Sequence, residues 1–234
     1  MKGLLYKDIR LAKGALIFLA VMQLLVSVCM SVFEMLIDTN LASVINVMCC
    51  YLMFVLVSII NSEMFRGDER RVWHHFVMAS PKLGRGQVTS KYIVVAMLHG
   101  MVLAICVLTS ALGDLIQNQK ISSVWTAMVM LCGLQLCLQA LELPFVIRYG
   151  KEAGAKIKGF FLLAIITIIV LYGLYGDISI FLEKDIFAKI MEYVSSHKAI
   201  WHMGVIAGIS AVVYGISYVI SVRLYRGSVE NYEQ

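Results

Sequence analysis

Residues 92–113 read YIVVAMLHGMVLAICVLTSALG, a run without a single Asp, Glu, Lys or Arg. A bilayer core needs about 20 apolar residues at a helical rise of 1.5 Å each, longer than the ~14 that a buried helix of a soluble protein uses. Five more such runs lie on either side, at 14–33, 41–62, 121–141, 159–176 and 199–222, each 18 to 24 residues long. What lies between them is too short to form a separate soluble domain. The sequence therefore predicts an all-α integral membrane protein, one domain over residues 1–234, in which six helices satisfy their own backbone hydrogen bonds in lipid.

Composition agrees with that reading. Of 234 residues, 60% are apolar and 15% charged, and the mean hydropathy is +0.83. Soluble domains carry about 25% charged residues, so this chain is too poor in charge to coat a water-facing surface. An ordinary water-soluble enzyme is excluded.

The charges that exist are sorted by side. The N-terminal tail, the 63–91 loop, the stretch after the fourth run and the C-terminus hold sixteen Lys and Arg, among them Lys7, Arg10, Arg70, Arg85, Arg148, Lys156 and Arg223. The opposite side holds four: Lys120, Lys184, Lys189 and Lys198. The positive-inside rule then predicts a multi-pass protein of a cell membrane with both termini cytoplasmic. The net charge of +5 is an orientation device. With no basic patch interleaved with exposed aromatics, it gives no warrant for nucleic-acid binding.

Residues 1–13 differ from the run they precede. Leu5, Ile9 and Ala12 recur at helical spacing opposite Lys2, Lys7, Arg10 and Lys13, which predicts a short interfacial helix at the cytoplasmic headgroups. On the other side, Phe187, Ile190, Met191 and Val194 fall at i, i+3, i+4 and i+7, the pattern of an amphipathic helix dipping into the outer leaflet between the fifth and sixth spans.

Chemistry is sparse. The six cysteines all fall inside the runs, with no C-x-x-C pair, so they read as small core residues and neither a disulfide framework nor a metal site is expected. No phosphate-cradling G-x-x-x-x-G-K-[ST] loop occurs; the chain is expected to bind no ATP, to hold no cofactor and to have no catalytic residues. His99 and His202 lie within spans, where an ionisable group is a functional suspect by default, although a neutral histidine bonded between helices is the plainer reading. Gln23, Asn46, Gln135 and Gln139 are the other notable polar residues there, with Gln135 and Gln139 on one face at i, i+4. Such groups glue helices together or line a path; with His99 they are the candidate translocation path. No charge sits at mid-span, against a carrier with an intramembrane carboxylate relay.

The 63–91 loop is the most informative. Asp68 is placed to cap a helix running to about Ala79, and Ser80–Pro81 ends it. Trp73, Phe76, Val77 and Ser80 form a mostly apolar stripe, with Arg70, Arg71 and His74 nearby. An aromatic patch rimmed by arginine suits a docking element. A helix anchored on the headgroups by its Trp reads equally well.

Three strings carry a family likeness: MKGLLYKD at 1–8, ERRVWHHFVMASP at 69–81 followed by SKY at 90–92, and LPFVIRYGKEA at 143–153. They resemble the small ABC-2-type permeases, the membrane subunits of bacterial ABC transporters; the His74–His75 pair is richer in histidine than the likeness leads one to expect. The resemblance implies an N-terminal interfacial helix, six spans, and a coupling helix that docks on a separate ATPase subunit. Carried over, Glu69, Arg70, Arg71, Trp73, His74, Phe76 and Val77 would make that contact, and Pro144, Arg148, Tyr149 and Gly150 would mark the second cytoplasmic loop. It further implies that ATP and Mg bind the partner ATPase, that a second permease subunit (a copy or a paralogue) completes the unit in the bacterial cell membrane, and that the cargo is amphipathic or lipophilic. Small permeases of this kind resemble exporters of antimicrobial and cytolytic peptides. The alternative is an ATP-independent carrier, channel or bacteriocin-immunity protein.

Overall fold

The computed structural model describes residues 2–34, 39–66, 83–116, 124–175, 189, 192–194 and 196–230. Among them there is no strand. Six long helices follow in order: α1 (Lys2–Glu34), α2 (Thr39–Arg66), α3 (Leu83–Ile116), α4 (Val124–Tyr149), α5 (Lys151–Tyr175) and α6 (His197–Glu230). The all-α class is as expected. Five helices hold a stretch long and apolar enough to cross a bilayer, namely Gly3–Val26, Arg85–Leu112, Trp125–Tyr149, Lys151–Tyr175 and His197–Tyr225. In α2 the described apolar run, Ile45–Asn61, is shorter.

α1 packs on α2 and α3, α2 on α4, α4 on α6, and α6 back on α3, with α3 also touching α4. Leu19, Phe54, Val57, Leu98, Val102 and Met128 fill one part of the interior. Val88, Tyr92, Val95, Leu143 and Val146 fill another. α5 packs on α4 and only grazes α2; among the described residues none of its apolar stretch is buried.

Two expectations change. First, the interfacial helix is not separate, because α1 runs unbroken through Lys13 and Gly14. Its stripe exists, but Leu4, Asp8 and Ala12 are its buried members, and Asp8 faces the bundle rather than the headgroups. Second, Pro144, Arg148 and Tyr149 are not in a loop. α4 continues through them to Tyr149, and Gly150 alone separates it from α5. Charged residues mark where hydrocarbon ends, not where a helix ends. What ends α4 is Gly150 at φ 88°, a left-handed conformation that glycine adopts without a Cβ clash. Its N–H bonds the Val146 carbonyl at 2.9 Å, a left-handed C-terminal cap.

The coupling segment Glu69–Val77 lies outside the described residues, as does most of the outer amphipathic stripe. Of that stripe Val194 is described, and its carbonyl accepts from Thr126 Oγ1 on α4 at 3.0 Å. Ser196 caps α6, taking the Ala199 N–H at 3.3 Å.

Candidate functional site: a band of buried polar contacts at one end of the bundle

α1, α3 and α5 begin, and α2, α4 and α6 end, at the same end of the bundle. Polar contacts link all six there. On α1, Asp8 is buried and accepts from Ser90 Oγ at 2.9 Å and from Lys91 Nζ at 3.0 Å, both on α3. Lys91 is itself buried, so the pair is a desolvated one whose charges need each other. The next residue, Tyr92, turns to α6: its hydroxyl lies 2.7 Å from both Ser217 Oγ and Ser221 Oγ, and its carbonyl accepts from Tyr214 at 2.7 Å. Thr89 meets Tyr218 at 2.9 Å, and Tyr225 donates to Gln87 at 3.1 Å.

Pro144 explains one of these contacts. A proline inside a helix donates no N–H, which leaves the carbonyl four residues earlier without its helical partner. That carbonyl is Ala140, and Ser217 of α6 donates to it at 2.5 Å. A hydroxyl has one proton, so the direction of the chain follows. Ser217 spends its proton on Ala140, Tyr92 must donate to Ser217, and Ser221 must donate to Tyr92. A discontinuity in α4 has become a seat for α6.

A second set of contacts joins α2, α4 and α5. Ser58 Oγ on α2 accepts from Gln139 Nε2 on α4 and from Lys158 Nζ on α5. Gln139 Nε2 also donates to Glu142 Oε2 at 3.1 Å, and Lys158 pairs with that oxygen at 3.0 Å. Phe54, one turn before Ser58, stacks on His99 of α3 with ring centroids 6.3 Å apart and planes 2° from parallel. His99 Nδ1 bonds the Val95 carbonyl at 2.9 Å. A carbonyl only accepts, so the proton sits on Nδ1, and Nε2 is left as an acceptor.

The five candidate path residues therefore divide. His99, Gln135 and Gln139 are fully buried along this α2–α3–α4 seam. Gln23 and Asn46 belong elsewhere, meeting through Cys50: Gln23 Nε2 lies 3.6 Å from its Sγ, which lies 3.8 Å from Asn46 Oδ1. His202 is exposed and bonds the Lys198 carbonyl at 2.7 Å and Tyr193 at 3.1 Å. Arg148 and Tyr149 are exposed at the corner, the guanidinium 5.1 Å from the ring centroid. Among the described residues no group of His, Cys, Asp and Glu could hold a metal ion.

Sequence reasoning missed Asp8, Ser58, Glu142 and Lys158. Asp8 was the one signal available: a single acid in a basic stretch, in register with Leu4 and Ala12.

These polar contacts tie the six helices together at one end of the bundle. No curated protein and no solved structure matches the chain. The family model of the ABC-2 family transporter proteins matches residues 3–226. That family forms membrane subunits of transporters, which implies a membrane setting and an ABC ATPase partner. With a match over nearly its whole length, the chain is a multi-pass membrane protein that belongs to the ABC-2 family transporter proteins.

Proposed function

We propose that this chain is the permease subunit of an ABC exporter, driven by a separate ATPase and moving an amphipathic or lipophilic cargo, an antimicrobial or cytolytic peptide above all. One observation carries the reading beyond the family match. The 67–82 segment joins the end of α2 to the start of α3, so it enters and leaves the bundle at the end where buried polar contacts link all six helices. A push on that segment reaches α2 through Ser58 and α3 through Ser90, Lys91 and Tyr92.

In this mechanism Trp73 and Phe76 seat in the ATPase, with Glu69, Arg70, Arg71, His74 and Val77 around them. ATP and Mg stay with the ATPase, and this chain contributes no cofactor. Nucleotide binding moves the segment, and energy enters as a difference in its contacts between two states. A sixth span in α2, a second permease subunit, a bacterial cell membrane and cytoplasmic termini complete the proposal, the last supported by the distribution of Lys and Arg.

Trp73→Ala and Phe76→Ala test it. Each is expected to weaken co-purification of the ATPase at least tenfold, since truncating an aromatic anchor costs about 2 kcal/mol or more. Export should fall while helical content and melting temperature hold. Normal capture of the ATPase with full export sinks the docking assignment.

A further inference from the structure

α2 and α4 run in the same direction, and their polar residues face each other as rungs. On α2, Phe54, Ser58 and Asn61 fall at i, i+4 and i+7; on α4, Gln135, Gln139 and Glu142 do the same. Ser58 bonds Gln139, which sets Asn61 near the level of Glu142, and Phe54 with its stacked His99 near the level of Gln135. Seven residues of helix span about 10 Å, so this is a file of polar groups. All of them are at least nine-tenths buried.

The file holds more unpartnered acceptors than donors. Asn61 Oδ1 and Nδ2, His99 Nε2 and Gln135 Oε1 are buried with no hydrogen-bond partner among the described residues. Three of those four atoms are acceptors, His99 Nε2 because its proton is held on Nδ1. Buried acceptors in this number call for a missing partner rich in N–H or O–H. One such group already occupies the file in part: the ammonium of Lys158, on Glu142 and Ser58. It comes from α5, the helix whose apolar stretch has no buried residue among those described, and its side chain keeps 17% exposure. Lys158 is therefore a cation held at the rim of the file.

We propose that the α2–α4 file, lined by Asn61, Ser58, His99, Gln135, Gln139 and Glu142, is a binding site for a protonated primary amine or guanidinium, for which Lys158 stands in while the site is closed. This rests on the export reading for its natural occupant, the cationic groups of an amphipathic peptide. Exchange of one cation for another keeps the charge of the buried Glu142 balanced throughout. The file opens as α2 parts from α4.

Chemical rescue of Lys158→Met, in the full chain reconstituted in lipid nanodiscs, tests the site. The variant leaves Glu142 buried without its cation and should melt lower than the parent. Propylammonium chloride should restore most of the lost melting temperature, saturably, as a ligand that binds the folded state does. Sodium chloride, propanol and tetramethylammonium, which offer charge or a donor but not both, should not. Glu142→Gln combined with Lys158→Met should be insensitive to the amine. Should Lys158→Met not accumulate, Lys158→Gln replaces it with the same expectation. Rescue by tetramethylammonium as strong as by propylammonium, no rescue by either, or rescue surviving Glu142→Gln overturns the proposal. No ATPase is present, so failure here leaves the coupling test at Trp73 and Phe76 untouched, and failure there leaves this site standing.

Discussion

At the scale of the residue, Ser217 and Pro144 form a matched pair. The missing N–H of Pro144 frees the Ala140 carbonyl, and Ser217 occupies it while accepting from Tyr92. Ser217→Ala should therefore orphan a buried carbonyl and leave the Tyr92 hydroxyl with Ser221 alone, at about 1–3 kcal/mol. In a Pro144→Ala background residue 144 regains its N–H and bonds Ala140 within the helix, so the same change should cost less. A double-mutant cycle on unfolding in detergent is expected to show a coupling of at least about 0.5 kcal/mol; additive effects would mean that the proline and the serine act independently. The sequence displayed Pro144 inside a family-like string, but its partner lies 73 positions on, in an ordinary apolar run. Asp8 shows the same limit. Its helical register with Leu4 and Ala12 was legible, while its partners Ser90 and Lys91 were not, because nothing local to residue 8 encodes a contact with α3.

At the scale of the element, the α4–α5 corner governs where α5 lies. A Cβ on Gly154 would fall far inside contact distance of Val146 Cγ2, so the two helices approach as closely as they do because residue 154 has no side chain. Gly154→Ala should force them apart and cost about 1–3 kcal/mol despite the gain in helix propensity, read as a lower melting temperature. Because the same face carries Lys158 to Glu142, the loss should be smaller in a Lys158→Met background, where that contact is already gone. An unchanged or raised melting temperature for Gly154→Ala would show that α5 is not seated closely there. The existence of the helices was plain from their charge-free runs, since hydropathy reports the hydrocarbon a segment must cross. Their ends were not, because α4 extends through Glu142 and Arg148 as readily as through leucine, and the left-handed Gly150 turns the chain into α5.

At the scale of the whole molecule, the mechanism requires one shared side for the coupling segment, the α4–α5 corner and both termini. The bundle supplies half of that requirement, since the polar contacts from Asp8 to Lys158 link all six helices at one end; the basic residues supply the other half by assigning that end to the cytoplasm. A single cysteine in place of the exposed Tyr149, in a chain whose six native cysteines are replaced, should resist a membrane-impermeant maleimide added to intact cells and react once the cells are opened. A cysteine in place of Tyr193, exposed on the segment before α6, should react in intact cells. The pair is internally controlled, because the two sites lie at opposite ends of α4, where Val194 meets Thr126 and Gly150 caps the last turn. Reaction at residue 149 from outside would turn the basic end outward, beyond the reach of any cytoplasmic ATPase, and the lever reading would fail however sound the helix packing proved to be.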